Sequence, residues 1–423
     1  MKPAFIRYNA DKYQRIGLLK ILISILDPGR RSASSDLINR KLSELLFQKE
    51  NGIMTKVETL IRNSNSGSWN LRITKPTIGK ILQWSKLYGF IGSGNQITEK
   101  GLLLYYLIGP DAVSSIKSGD FKSNPFELTI EEKLYFLYSH LEADTTLLFL
   151  MQRLAKLPKN EFIFGVEADK LACLALYDTL KLISEKGFYS GNILSLKTLR
   201  ELIGKIVFEL DLSSDVPIRP LRKQGPQSIR IVKPKQQNRK RTNAADGEAI
   251  PRFEFLTDLD LLTKRAEDQG ESDQEKSRKA WKYWVTPLLQ NFAKSLPDSF
   301  QDFCWVQFAH SAVTLTNTKP KYLSVEEDPW IIVRRVYDAF LEVKRSFGHT
   351  PFLSVAIVAM IRSLAVSEVL EVKVVHELFL SFKKNNLFPE TLKFAAGNDI
   401  DKMFIDIKPS FTEEAEKYYD TQK

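Results

Sequence analysis

Among its 423 residues the sequence has only two cysteines and four histidines. Cys173 and Cys304 stand far apart with no companion nearby. That excludes a disulfide framework and a cysteine-based zinc site, and it fits a reducing compartment. His140, His310, His349 and His376 are isolated, with no second histidine or cysteine at metal-ligand spacing. Twenty glycines and 18 prolines are few for this length, which disfavours an all-β or low-complexity chain. Long apolar runs are also missing. The longest, residues 352–361, is far shorter than the roughly 20 residues of a spanning helix and is expected to be a core helix. The apolar stretch 16–26 is broken by Lys20 and starts too late for a secretory signal. A cytoplasmic protein without a membrane anchor is expected. No G-x-x-x-x-G-K-[ST] phosphate loop occurs, and no cofactor is expected.

What the sequence has in excess is positive charge. The formal net charge is +10, and a basic surplus of that size points towards a polyanion. It is concentrated at the start: residues 1–120 hold 18 lysines and arginines against nine acidic residues. A hydrophobic content of 43% is ordinary for a folded protein. The length calls for two to four domains.

Apolar spacing predicts helices over 13–26, stopped by Asp27-Pro28-Gly29, and over 37–47, capped by Ser34 or Ser35. Residues 63–70 form a polar loop. The most informative stretch is ITKPTIGKILQWSKLYGFIGSGNQITEKGLLLYYLI, residues 73–108. Thr74 can cap a helix whose first turn tolerates Pro76, with Ile78, Ile81, Leu82 and Ser85 on its buried face. Gly89 ends it. Phe90-Ile91 and Gln96-Ile97-Thr98 read as short strands around the turn 92–95, and Thr98 caps the next helix. The string "GFI…ITEKG" resembles the wing of bacterial winged-helix regulators, in which "GLI…LTEKG" is common. The resemblance covers residues 13–108. It implies a recognition helix that enters the DNA major groove beside a hairpin wing. On that helix Thr77, Lys80, Gln83 and Trp84 face outward, flanked by Lys75 and Lys86. Gln83 would read an adenine edge and the lysines would neutralise phosphates of double-stranded DNA.

Residues 126–212 read as helices throughout, with a capping box at Thr129 and Glu132. A proline-rich basic segment follows, with no acidic residue between Val216 and Ala245. It is expected to be an extended or disordered loop, and its Arg219, Arg222, Lys223, Arg239, Lys240 and Arg241 are candidate phosphate contacts. The stretch 250–296 echoes the first module: a short helix, a hairpin opened by Thr263-Lys264-Arg265, and a helix capped by Thr286-Pro287. Glu254, Asp258 and Asp260 on its helix would repel phosphate, so this copy is expected to be structural or protein-binding. A third echo ends the chain, with helices over 353–365 and 372–382, strands over 391–396 and 403–407, and Thr412 ahead of a last helix. The expected fold is mainly α with small β-hairpin wings. It is laid out as a winged-helix domain at 1–120, a helical region at 121–212 and a basic loop at 213–249. A second module at 250–300 and a helical region with a third at 301–423 complete it.

The favoured reading is a non-catalytic DNA-binding accessory protein, a subunit of a DNA-processing or defence complex with other protein subunits as partners. Two alternatives compete with it. The layout is similar to that of kleisin-type scaffolds of chromosome-organising complexes. A metal-dependent nuclease would hold its cation in a P-D…[D/E]-x-K arrangement at strand ends. Pro297-Asp298 with Glu342-Val343-Lys344, or with Glu371-Val372-Lys373, has the required letters. Helical spacing over 331–347, however, places Glu342 and Lys344 on a solvent face.

Overall fold

The computed structural model describes residues 16–29, 33–47, 75–158, 162–186, 206, 215–218, 227–230, 244–266, 281–296, 305–316, 319–344 and 350–422. The chain is mainly helical with small sheets. It divides into two compact units. One gathers Gly17–Asn65, Leu71–Phe136 and Cys304–Lys423, and the other Met1–Ile16, Ser66–Asn70 and Leu137–Phe303.

The first unit opens with α1 (Ile16–Ile25), all but its first residue, and α2 (Ser35–Phe47). Ser34 caps α2 by accepting the Leu37 amide. Next come α3 (Lys75–Leu87), α4 (Glu99–Ile108), α5 (Pro110–Ser118) and the start of α6 (Ile130–Ala143). The expected capping box is present. Thr129 N–H donates to Glu132 Oε2 at 3.0 Å and Glu132 N–H to Thr129 Oγ1 at 3.3 Å. Glu132 also receives the Lys20 ammonium at 3.0 Å, and both side chains are buried. One lysine of the basic N-terminal stretch therefore serves the core. Burial pushes the Glu132 carboxyl above the usual carboxylate range, against the pull of Lys20.

Later in sequence, this unit holds a second assembly of helices and strands. It includes α12 (Pro329–Val343) and strand β7 (Thr350–Pro351). Then follow α13 (Phe352–Ala365), α14 (Val372–Lys384), strands β9 (Leu392–Ala396) and β10 (Met403–Ile407), and α15 (Phe411–Gln422). β10 lies between β7 and β9, antiparallel to both. Its Met403, Ile405 and Ile407 are buried while Phe404 and Asp406 are half-buried, the two-residue period of a sheet covered on one face. α13 is the apolar run 352–361 extended by a turn, and almost every residue in it is buried, as a core helix requires. Arg362, near its end, bonds Glu131 and Glu342 at 3.0 Å each. That ties α6 and α12 to α13. Strands β6 (Lys321–Tyr322) and β8 (Glu368–Val369) form a parallel pair that periodicity did not predict.

The second unit contains α7 (Thr145–Leu154), β1 (Phe162–Phe164), α8 (Gly165–Lys186), β2 (Asp215–Ile218) and β3 (Gln227–Arg230). It continues through α9 (Ala244–Asp258), β4 (Leu262–Ala266), β5 (Trp281–Val285) and α10 (Pro287–Ser295). Helix α11 (Trp305–Ala312) belongs to the first unit. β5 lies between β1 and β4, antiparallel to both. Two expectations need correction here. Residues 126–212 are not helical throughout, because β1 lies among them; three residues carry too little periodicity to announce a strand. The basic segment is not wholly irregular either, since β2 and β3 pair in register from Asp215↔Arg230 to Ile218↔Gln227 and α9 starts at Ala244. The core of the unit contains an ion pair. Arg252 on α9 grips Asp144 through Nε at 2.8 Å and Nη2 at 3.2 Å, with both side chains fully buried. Asp144 also caps α7 by accepting the Thr146 amide.

Candidate nucleic-acid interface

Helix α3 places the residues that sequence reasoning assigned to DNA. Ile81, Trp84, Ser85 and Tyr88 are buried and form one stripe at helical spacing, widened by Leu82. Trp84 was expected to face outward. It does not: it is buried, and its ring meets Tyr88 edge-on at 5.9 Å. The spacing Ile81, Trp84, Ser85, Tyr88 is itself a core stripe, and a large indole with three buried neighbours on that stripe joins it. Gln83 and Lys86 are exposed on the opposite face, Leu87 beside them is 42% exposed, and Lys80 is half-buried at the edge. Lys75 and Thr77 occupy the first turn of α3, but their side chains lie outside the described residues.

The hairpin after α3 is minimal. Gly89 takes the left-handed conformation at φ +74° and donates to the Lys86 carbonyl, which ends the helix. A single antiparallel bridge joins Ile91 to Ile97. Gly92 N–H donates to the Gln96 carbonyl at 2.9 Å and Thr98 N–H to that of Phe90 at 3.1 Å. Asn95 turns the tip with φ +57°. Its amide donates to the Ala33 carbonyl at 2.8 Å, so the tip rests on the start of α2. Thr98 caps α4 by accepting the Gly101 amide, and its hydroxyl contacts the Gly89 and Phe90 carbonyls. A Cβ on Gly101 would lie 2.2 Å from the Phe90 carbonyl oxygen. The "ITEKG" string is therefore a packing instruction: threonine closes the helix onto the hairpin, and glycine lets the two backbones touch.

Thr286 does the same in the second unit, accepting the Leu289 amide and donating to the Leu261 carbonyl at 2.9 Å. The third copy departs from expectation. α15 begins at Phe411, so Thr412 sits within its first turn and not ahead of it. Thr391 instead reaches this helix, donating to Glu414 at 2.8 Å.

The helices that precede the other two hairpins, α9 and α14, also turn polar groups inward. On α9, Glu254 is buried and takes hydrogen bonds from Lys264 and from the Tyr283 hydroxyl, and Asp258 accepts the Ile16 amide. Of the three carboxylates expected to repel phosphate there, only Asp260 is exposed. On α14, His376 Nε2 donates to the Asn398 carbonyl at 2.8 Å, and Lys383 to the Ala396 and Gly397 carbonyls at 3.3 and 3.0 Å. Both residues grip the turn of their own hairpin. Asp399 and Asp401 stand exposed at that turn, and Lys384 is exposed at the end of α14.

Arg219, Arg222, Lys223, Arg239, Lys240 and Arg241 lie outside the described residues, as do Pro297 and Asp298. Glu342 is on α12, bonded to Arg362, and Lys344 follows that helix. Glu371 precedes α14 and meets His310 Nε2 at 2.7 Å. Glu342 and Lys344 thus belong to a helix and its end, not to a strand end. Among the described residues no three His, Cys, Asp or Glu side chains converge as a metal site would need, and no helix is long and apolar enough to cross a membrane. Comparison with protein-family models, with curated proteins and with solved structures finds no match to this chain.

Proposed function

We propose that the chain is a non-catalytic DNA-binding accessory protein built from three winged-helix modules, acting as a subunit of a DNA-processing or defence complex. The fold reading is supported by strand order. In β1–β5–β4 and in β7–β10–β9, an early strand pairs with the second arm of a hairpin that separates two helices. Sheets this small, with one face on helices, are the frame of a winged helix. The first module has the same helix–hairpin–helix order with the hairpin reduced to one bridge.

One observation carries the DNA reading. Gln83 and Lys86 are exposed together on the helix that precedes the first hairpin, opposite its buried stripe of Ile81, Trp84 and Ser85. An amide and an ammonium one turn apart suit a base edge and a phosphate. The surplus of 18 basic over nine acidic residues in 1–120 supplies the surrounding field. Because the hairpin tip is bonded to α2, groove contact falls to α3, without a projecting wing.

The test is fluorescence anisotropy on a labelled duplex of about 25 base pairs over a salt series. Lys86→Glu with Gln83→Ala should weaken binding roughly tenfold and lower the magnitude of the salt slope by about one. Unchanged affinity would remove α3 from the interface. The kleisin-like scaffold is favoured by a different observation, the internal use of polar groups on α9 and α14. A chain that binds no duplex at about 50 mM salt, yet co-purifies with a fixed protein subunit, would establish that reading instead.

A further inference from the structure

We propose that the outer face of the sheet β1–β5–β4 binds single-stranded nucleic acid. Strand register defines that face. Phe162, Trp284 and Thr263 align in one rung, and Lys282 stands in another, two positions along β5 from Trp284. The rung between them points inward: Ile163 and Tyr283 are buried, and Lys264 pairs with Glu254. Side chains alternate along a strand, so the first two rungs share the opposite face.

The chemistry of this face is aromatic and cationic. Phe162 is 39% exposed, and Trp284 and Lys282 are half-buried. The Lys282 ammonium lies 4.8 Å from the centre of the Phe162 ring, and the Phe162 and Trp284 rings are 6.1 Å apart. None of Phe162, Thr263, Lys282 and Trp284 is acidic. The Lys282 ammonium complements a phosphate, and the exposed Phe162 ring beside it complements a nucleobase. A duplex hides the faces of its bases in its own stack, so the rings select a single strand. Lysine is long enough to leave the ring for a phosphate as a base arrives, keeping its charge satisfied in both states. This site is separate from α3 and does not depend on the duplex reading.

The experiment titrates the full chain into labelled oligo-dT and oligo-rU of about twenty nucleotides at low salt, following anisotropy and tryptophan emission. Phe162→Ala and Lys282→Glu should each weaken single-strand binding roughly tenfold, and Phe162→Tyr should retain it. Emission should fall on binding and fall less in Trp284→Leu. Duplex affinity should be unmoved by Phe162→Ala, whereas Lys86→Glu should spare the single strand. Preference for dT or rU would tell DNA from RNA as the natural ligand. The proposal is overturned if the wild-type chain binds neither oligomer. It is also overturned if both substitutions leave affinity unchanged in proteins that melt like wild type, or if poly-glutamate competes as well as the oligomer.

Discussion

Asp144→Ala should destabilise the unit that contains Leu137–Phe303 by about 3–5 kcal/mol. The carboxylate holds the Arg252 guanidinium through two hydrogen bonds, with both side chains fully buried. Arginine cannot shed its proton to escape an apolar site, so removing Asp144 takes a buried counter-charge and two hydrogen bonds from a guanidinium that stays charged. The cap of α7 goes with it, at about 1 kcal/mol. Urea unfolding followed by circular dichroism measures the loss, and hydrogen exchange should locate it in α7 and α9. The double variant Asp144→Leu/Arg252→Met should recover most of the stability, because a packed apolar pair removes the buried charge itself. A loss below about 1 kcal/mol in Asp144→Ala would contradict this account of the core.

Gly101→Ala is expected to cost about 1–3 kcal/mol, a large effect for one added methyl group. The methyl would sit 2.2 Å from the Phe90 carbonyl oxygen and 2.8 Å from Ile97 Cγ2. That carbonyl cannot simply move, since it accepts from the Thr98 amide and hydroxyl. Helix α4 would have to lift away from the hairpin. Thermal melting reports the cost. Gly397→Ala is the control: its nearest neighbour would be Lys402 Cβ at 3.5 Å, an ordinary contact, so a change within about 0.5 kcal/mol is expected. Equal effects at the two positions would mean that the first hairpin tolerates displacement.

These contacts also explain which parts of the structure were legible in the sequence. Thr98, Thr286 and the Thr129–Glu132 box act within three or four residues of their partners, and local chemistry of that kind is written in order along the chain. The hairpin at 392–407 was legible for the same reason, with alternating residues on either side of Gly397-Asn398-Asp399. Trp84 was misjudged because a narrow helical stripe and a wider one differ by a single residue, and only packing decides between them. β1 and the pair β6–β8 were not foreseen because each strand is two or three residues long and pairs with a distant segment. Lys20, Arg252 and Glu254 look like surface charges in a linear reading. Their partners, Glu132, Asp144 and Lys264, become neighbours only on folding. Of the candidate interface, Gln83 and Lys86 were placed as expected, while the aromatic face around Phe162 had no linear signature at all.

The pairing of Phe162 with Trp284 has a kinetic consequence. During synthesis β1 emerges more than a hundred residues ahead of the strand that completes its sheet, so it must wait, unpaired, for β5. Contacts between such remote segments make folding slow. A chain paused before β5 would leave Ile163 without its cross-strand neighbour Tyr283, an unpaired apolar strand of the kind that chaperones and proteases recognise.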